Sequence, residues 1–220
     1  MTSIRALKSS LLVGAALLVQ AASAEVPRAP EDGGPRAFEV TAAGGLNLRA
    51  QPDTGAPVLA TFGAGTVLDN LGCLETGGRA WCDVQRLGGG PRGFVAAEFI
   101  QPQIAPHGAV ATGPDDSASR AGQGEFDATG ELPCAWASGQ PSRPCRFGVA
   151  RAGGGYATVV VEFGDNRKRA IYFRAGIPVG ADTGQADGYP EFSARKEMDL
   201  HLIQVGQERY EITDAVIFGG

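Results

Sequence analysis

Cys73 and Cys82 lie symmetrically about Gly77-Gly78, and this spacing constrains the fold more than any other feature of the sequence. Two-residue hairpin turns favour residues that readily adopt positive φ, as glycine does. With Gly77-Gly78 as such a turn, counting outwards places Cys73 opposite Cys82 in a non-hydrogen-bonded pair, where Cα atoms are about 4.5 Å apart. A disulfide can close at that distance. The sequence therefore predicts a disulfide-bonded β-hairpin.

The chain has four cysteines, so Cys134 and Cys145 pair by elimination, across a loop that contains Ser138-Gly139-Gln140-Pro141. An even number of cysteines in an exported protein is typical of disulfides. A zinc site is the weaker interpretation, because no C-x₂₋₄-C pair occurs and only His107 and His201 are available to assist. No metal or other cofactor is predicted.

The first 24 residues have the layout of a cleavable signal peptide. Arg5 and Lys8 give a positive start, an apolar or small-residue run extends from Leu11 to Val19, and Ala22-Ser23-Ala24 fits a signal-peptidase site. The mature chain then begins at Glu25 and is predicted to be periplasmic or secreted. A membrane anchor is the alternative interpretation of this segment.

Net charge restricts the partners of the mature chain. Removal of the leader takes away two of the 19 basic residues and leaves 17 against 24 acidic ones, a net charge of −7. Nucleic acids and anionic lipid surfaces need concentrated positive charge, so neither is predicted as a main partner. No later apolar run is long enough to cross a bilayer, so no membrane span is predicted in the mature chain.

Turn residues and short apolar segments predict an all-β chain with two domains. The chain has 33 glycines and 14 prolines, which favours many turns and short strands. The sequence predicts a flexible lead over 25–36, a first β domain over 37–102, a linker over 103–124 and a second small antiparallel β domain over 125–220. The linker is predicted as flexible coil because it is rich in Pro, Gly, Ser and Asp without an apolar period.

Hairpin signals recur in the second domain, with Gly153-Gly154-Gly155 as one turn and 164–166 as the next. Alternation at Met198, Leu200 and Leu202 has the period-2 spacing of a half-buried strand. Residues 191–197 are predicted as a short helix.

An ordered series of motifs over 37–102 resembles the bacterial SH3-like (SH3b-type) domain. Leu46-Asn47-Leu48-Arg49-Ala50-Gln51-Pro52 is similar to its opening L-N-V-R-x-G-P motif. The later matching segments are Val58-Leu59-Ala60-Thr61-Phe62, Gly65-Thr66-Val67-Leu68, Trp81-Cys82-Asp83-Val84 and Gly93-Phe94-Val95-Ala96. Gln51 replaces the usual glycine and Phe94 the usual tryptophan. The resemblance implies a small β-barrel that binds cell-wall material or partner proteins and has no chemistry of its own.

Four residues of the SH3-like segment are the candidate binding surface: Asn47, Arg49, Trp81 and Phe94. Aromatic faces and arginine forks suit sugars, peptides and carboxylates. The alternative is structural, with Trp81 and Phe94 filling the barrel and Arg49 serving the backbone.

No catalytic constellation is present in the sequence, and the chain is predicted not to be an enzyme. Disulfide-bonded cysteines supply no thiolate, and no G-x-S-x-G, H-E-x-x-H or P-loop motif occurs. His201 is predicted at the surface or in a satisfied position. The acidic loop 182–191 and the basic run 167–169 are predicted as solvated segments.

These features predict a periplasmic binding or interaction protein whose SH3-like domain engages a cell-wall peptide or glycan (peptidoglycan) or an envelope protein. One alternative is an inhibitor of a wall-degrading enzyme, since Tyr210 with Gly206 and Arg209 resembles lysozyme-inhibitor loops. Another is an accessory or degenerate wall hydrolase.

Overall fold

The chain is all-β in a computed structural model, with two antiparallel sheets, as the sequence predicts. The structure describes residues 26–164, 167–184, 187–188 and 190–219. The predicted signal peptide over 1–24 and the cleavage site before Glu25 lie outside the described residues. Within the described part of the chain, no helix is long and apolar enough to span a membrane.

The first sheet contains seven strands in the order β3-β2-β6-β5-β4-β1-β7. They are β1 (Ala37–Val40), β2 (Leu46–Arg49), β3 (Val58–Phe62), β4 (Val67–Thr76), β5 (Arg79–Arg86), β6 (Arg92–Ala96) and β7 (Ile100–Pro102). A single 3₁₀ turn, Ala97–Phe99, connects β6 and β7. This sheet is the SH3-like barrel that the sequence predicts.

The predicted disulfide hairpin is confirmed in both bond and register. Strands β4 and β5 pair Cys73 with Cys82, whose Cα atoms are 4.0 Å apart. Gly77 and Gly78 form the turn with φ of 59° and 74°, values that L-residues with a Cβ adopt rarely. The glycine pair therefore fixes the register of the hairpin, and through it the cysteine pairing.

Alternating apolar side chains fill the first barrel. The buried members of this core are Phe38, Val40, Leu46, Leu48, Phe62, Leu68, Cys82, Val84 and Val95. Val58 and Leu59, which match the family's second strand, remain 49% and 45% exposed on edge strand β3. An edge strand has a neighbour on one side only, which leaves such side chains in contact with solvent.

The second sheet contains eight strands in the order β12-β11-β10-β9-β8-β15-β14-β13. They are β8 (Ala128–Ala135), β9 (Arg143–Gly153), β10 (Tyr156–Glu162), β11 (Lys168–Arg174), β12 (Ile177–Ala181), β13 (Phe192–Glu197), β14 (Leu200–Val205) and β15 (Glu208–Thr213). The sheet curls until its edge strand β12 contacts β13 and β14. The second predicted disulfide, Cys134–Cys145, is also confirmed and links β8 to β9 with Cα atoms 5.9 Å apart.

One prediction for the second domain is wrong and another is confirmed. The helix predicted over 191–197 is absent, and 192–197 are strand β13, because they pair along their whole length with β14. The predicted half-buried strand is β14, whose buried side carries His201, Ile203 and Val205 while Leu200 and Leu202 are half-buried. Met198 precedes the strand and is 92% exposed.

The predicted flexible lead and linker are packed against the sheets. Asn70 on β4 donates from Nδ2 to the carbonyl oxygens of Arg28 and Pro35, at 2.8 and 2.7 Å. The linker contains a short helix, α1 (Ser117–Gly122), whose Ser117 and Ala121 are buried. The flexible coil predicted over 25–36 and 103–124 is corrected, since backbone and side-chain hydrogen bonds order both segments. The domain boundaries themselves stay a prediction.

Arg36 joins the lead, the linker and the second sheet. Its Nε and Nη2 donate to the carbonyls of Gly113 and Pro114 at 2.7 Å, and its Nη1 donates to that of Ala152 at 2.9 Å. The guanidinium lies 4.9 Å from the ring centroid of Tyr156 on β10. A buried cation with three carbonyl partners holds the two sheets in one arrangement.

The last helix, α2 (Asp214–Phe218), follows β15.

Candidate binding site

A groove of about 190 Å³ opens on the first barrel between β2, β5 and the turn Ala97–Phe99. Three of the four candidate residues line it: Asn47 and Arg49 from β2, and Trp81 from β5. Arg79 and Phe99 complete the two sides. The structure therefore brings most of the predicted surface into a single concave site.

Trp81 forms part of the groove floor and is only 3% exposed. The guanidinium carbon of Arg79 lies 5.4 Å from the Trp81 ring centroid and 5.8 Å from that of Phe99. Both distances are within the range of cation–π attraction. Trp81 thus positions the cation, and Phe99, which is 38% exposed, offers the accessible aromatic surface.

Glu98 holds Arg79 by a two-point ion pair. Arg79 Nε donates to Glu98 Oε2 at 3.1 Å, and Arg79 Nη2 donates to Oε1. This hydrogen bonding holds the pKa of the Glu98 carboxyl below its usual value, so both groups are charged at neutral pH. The side chains remain 30% and 52% exposed, which leaves them in reach of a ligand.

Arg49 and Asn47 shape the other side of the groove. Arg49 Nη1 donates to the Ala56 carbonyl at 2.8 Å and so anchors the loop between β2 and β3. Asn47 is exposed, and its Oδ1 accepts a hydrogen bond from Thr61 Oγ1 at 2.9 Å. Arg49 therefore has a structural contact as well as a place in the groove, while Asn47 is oriented by its cross-strand neighbour.

Phe94 lies beside the groove rather than in it. It is opposite Arg49 on β2 and Asp83 on β5, and directly opposed residues share a face of the sheet. The preceding Gly93 permits this close approach of β6 to β2, since a Cβ at that position would lie 2.4 Å from the Arg49 carbonyl oxygen. Phe94 is thus a half-buried extension of the same face.

Sequence reasoning missed Arg79, Glu98 and Phe99. Arg79 is two residues before Trp81 on a strand, and side chains at that spacing share one face of the sheet. The position of Arg79 beside Trp81 could therefore have been predicted from the sequence. Glu98 and Phe99 arrive through the 3₁₀ turn between two strands, for which no sequence motif was recognised.

Arg169 is the buried centre of a charged network in the second sheet. Arg169, predicted as solvated, is 7% exposed and donates from Nε and Nη2 to Glu208, each at 2.9 Å. Its Nη1 lies 3.5 Å from carboxylate oxygens of Asp182 and Asp187 in the acidic loop. The Arg169 guanidinium therefore links the acidic loop to β11.

Tyr210, the centre of the resemblance to lysozyme-inhibitor loops, is 1% exposed. Its hydroxyl donates to Glu208 Oε2 at 2.7 Å. Burial raises the pKa of this phenol, and the hydrogen bond to Glu208 raises it further. The side chain belongs to the core and is not presented to a partner.

His201 is 1% exposed and hydrogen-bonded through Nε2, so of its two predicted positions, at the surface or satisfied, the structure shows the second for this atom. Its Nε2 is 2.9 Å from Asp214 Oδ1, and Lys196 Nζ donates to both oxygens of the same carboxylate at 2.8 Å.

All four cysteine thiols are used in disulfides, so none is available as a nucleophile or thiolate ligand. Among the described residues, no group of three or more His, Cys, Asp and Glu side chains lies close enough together to hold a metal.

Comparison with known proteins identifies the first sheet. No curated protein matches the chain. Residues 44–101 match the bacterial SH3 domain family, and this segment includes β2 to β6 and every residue of the groove except Ala42. This part of the chain is therefore similar to a bacterial SH3 domain, as the sequence motifs predict.

Proposed function

We propose that this chain is an extracytoplasmic cell-wall-binding protein without catalytic activity, whose SH3 groove binds the peptide part of peptidoglycan. The observation that carries the proposal is the convergence of Arg49, Arg79 and Trp81 in one groove of a bacterial SH3 domain. The family suggests cell-wall binding. Two disulfides agree with an oxidising compartment, where wall material is accessible.

Charge in the groove favours a peptide with a free carboxylate. Two guanidinium groups, Arg49 and Arg79, line the groove, and the one carboxylate beside it, Glu98, pairs with Arg79, in a chain whose overall charge is −5. Arginine recognises carboxylates through paired N–H donors. Stem peptides of the wall end in such a carboxylate, and the exposed ring of Phe99 supplies apolar contact for their alanine methyl groups.

Co-sedimentation of the mature protein with purified insoluble peptidoglycan tests the proposal. We expect the wild type to sediment with the walls and Phe99→Ala to remain largely in the supernatant. Arg92→Ala is the control, because Arg92 is a charged surface residue of the same domain outside the groove. Equal sedimentation of Phe99→Ala and wild type would contradict the assignment to the groove.

A turbidity assay in the same experiment separates the other function classes. A binder leaves a wall suspension turbid and does not change the rate at which added lysozyme clears it. Clearing by the protein alone would identify a hydrolase, and slowing of lysozyme would identify an inhibitor. Either result would overturn the proposal.

A further inference from the structure

The SH3 groove contains two guanidinium groups that are held independently, one on each side. Arg49 lies on β2 and Arg79 on β5, and both line the groove. Glu98 holds Arg79 by the two-point ion pair. The loop between β2 and β3 holds Arg49, whose Nη1 donates to the Ala56 carbonyl at 2.8 Å. Both cations are therefore positioned before a ligand arrives, which lowers the entropic cost of binding.

Each arginine keeps hydrogen-bond donors that the protein does not use. An arginine has five N–H donors. Arg79 uses Nε and Nη2, and its Nη1 has no hydrogen-bond partner among the described residues. Arg49 uses only Nη1, so its Nε and Nη2 donate to no described residue.

These unpaired nitrogens are in contact with solvent. Within the described part of the chain, the only buried side-chain nitrogen or oxygen atoms without a partner are the Tyr156 hydroxyl and His201 Nδ1. The free nitrogens of Arg49 and Arg79 are thus not buried, and both residues are partly exposed. A ligand in the groove can therefore accept hydrogen bonds from both.

Only one of the two cations is balanced by a carboxylate. Glu98 pairs with Arg79, whereas Arg49 forms no ion pair with a described residue. Asp53, in the loop that Arg49 anchors, accepts instead from the Gly55 amide at 2.6 Å. Among the described residues, no aspartate or glutamate lines the groove. Charge complementarity therefore favours a carboxylate of the ligand at Arg49 as well as at Arg79.

The two sides of the groove are separated by a single strand. Strands β2 and β5 lie on either side of β6, which places their backbones about 10 Å apart. Ala96 on β6 lies opposite Trp81 and lines the groove between the two sides. A peptide that reaches both arginines is therefore longer than one residue, and three extended residues span about 10 Å.

The neighbours of each arginine differ in polarity. Phe99, beside Arg79, is 38% exposed and suits the methyl groups of a C-terminal alanine. The exposed side chains of Asn47 and Thr54 line the groove with Arg49 and suit the polar backbone of an internal residue. This difference orients a peptide with its C-terminus at Arg79.

We propose that the SH3 groove binds one acidic peptide through two carboxylates, the C-terminal one at Arg79 and an internal one at Arg49. The inference rests on the proposed function, because it specifies which stem peptides the groove accepts. A stem peptide contains a glutamate linked through its side chain, whose free α-carboxylate lies about three residues before the C-terminus. Amidation converts this carboxylate to a neutral amide. The groove therefore selects unamidated stem peptides.

Calorimetric titration of the intact mature protein tests this with three synthetic peptides. The reference is L-Ala-γ-D-Glu-L-Lys-D-Ala-D-Ala with an acetylated N-terminus. The second peptide carries an amide in place of the internal carboxylate, and the third carries an amide at the C-terminus. The variants are Arg49→Ala and Arg79→Ala, with Arg92→Ala as the control outside the groove.

We expect the wild type to bind each amidated peptide about tenfold more weakly than the reference, since a charged hydrogen-bonded pair is lost. Arg49→Ala should bind the reference and the internally amidated peptide within about twofold of each other, because the partner of that carboxylate is already absent. It should keep the tenfold preference at the C-terminus. Arg79→Ala should show the reverse pattern, and Arg92→Ala should keep both preferences.

The ratios of affinities separate lost recognition from lost structure. A disordered loop in Arg49→Ala would weaken all three peptides alike and leave both preferences as in the wild type. That outcome would overturn the inference, because the internal carboxylate would then have no specific partner in Arg49.

The same titrations separate this inference from the proposed function. Equal wild-type affinities for the reference and the internally amidated peptide would overturn recognition of two carboxylates, while binding of the reference would still support a groove for wall peptides. Failure of all three peptides to bind the wild type would contradict the proposed function and the inference with it.

Discussion

The two β-sheets use charged and aromatic residues in opposite ways. In the SH3 sheet, Arg79, Glu98 and Phe99 form contacts at the surface of a groove, and each remains at least 30% exposed. In the second sheet, Arg169 and Tyr210 are under 10% exposed and complete each other's hydrogen bonds through Glu208. The first arrangement leaves the charges in reach of a partner, and the second uses them for the fold.

This difference shows why residue type alone is a poor guide to function in this chain. Arg169 and Tyr210 are as suited to recognition as Arg79 and Phe99, yet they lie in the interior. Solvent-exposed ion pairs contribute little to stability, whereas a buried pair that loses one member leaves an uncompensated charge. Substitutions in the two sheets should therefore separate binding from stability.

The largest effect is expected from Arg169→Leu. Removing this cation leaves the half-buried Glu208 carboxylate with the Tyr210 hydroxyl but without its cation, and we expect the free energy of unfolding to fall by about 3–5 kcal/mol. Urea unfolding followed by circular dichroism measures the change. Lys168→Ala is the matched control, because the neighbouring Lys168 pairs with Glu162 at 55% exposure and should cost less than about 1 kcal/mol.

A second variant makes this prediction sharper. The double substitution Arg169→Leu with Glu208→Leu removes both charges and should recover part of the lost stability. Equal losses in Arg169→Leu and Lys168→Ala would mean that the Arg169 network does not stabilise the second sheet, and the contrast between the sheets would fail.

Removal of either disulfide should have the next largest effect. Each closes a short loop, and replacing a cysteine pair by alanine should lower the free energy of unfolding by about 2–3 kcal/mol through the unfolded state. We expect hydrogen exchange to accelerate in the first sheet for Cys73→Ala with Cys82→Ala, and in the second for Cys134→Ala with Cys145→Ala.

Exchange that accelerates equally in both sheets for either disulfide variant would contradict that expectation. The two sheets would then unfold as one cooperative unit, and the predicted division into two domains would be wrong. Such coupling would pass through Arg36, which contacts the linker and the second sheet, and through Arg174 on β11, which pairs with Asp69 on β4.

A smaller, pH-dependent effect is expected at His201. Burial lowers the pKa of this imidazole below 6.5, even though Asp214 opposes the shift. The Nδ1 atom has no hydrogen-bond partner among the described residues, so a proton placed there would be unsatisfied. Because the unfolded chain takes up the proton first, stability should fall as pH drops through about 6.5 and continue to fall until the folded pKa is reached.

Thermal unfolding between pH 7.5 and 5 measures this dependence. His201→Gln should flatten the decline over that range, whatever its effect on stability at pH 7.5. The SH3 sheet should show no such decline, since among its described residues it contains no histidine. An unchanged slope in His201→Gln would show that other groups titrate on unfolding.

Much of the fold follows from local sequence chemistry. Gly77-Gly78 fixes the register of one hairpin and with it the Cys73–Cys82 bond, because a turn with two positive φ values admits few other residues. The alternation around Leu46 and Leu48 likewise predicts the inward face of β2. These features depend only on neighbouring residues.

Other features depend on contacts that are distant in sequence. The sequence of the linker is polar and aperiodic. In the structure, the Ser117 hydroxyl is hydrogen-bonded to the Thr158 hydroxyl at 3.0 Å, and Arg36 donates to the Ala152 carbonyl. No local sequence pattern predicts either contact. The inward face of β14 carries His201, and Asp214, thirteen residues later, satisfies its Nε2. The sequence predicted that Asn47, Arg49 and Trp81 belong to the binding surface. It did not predict Glu98 and Phe99, because their position depends on the path of the chain between β6 and β7.

Titration of the mature protein with a stem pentapeptide that has a free carboxylate tests the central claim most directly. Arg79→Ala should raise the dissociation constant about tenfold, because a charged hydrogen-bonding partner of the carboxylate is lost. Arg92→Ala, which removes an equivalent two-point pair with Asp83 outside the groove, should bind as wild type. Equal affinities for wild type, Arg79→Ala and Arg92→Ala would contradict the groove as the binding site.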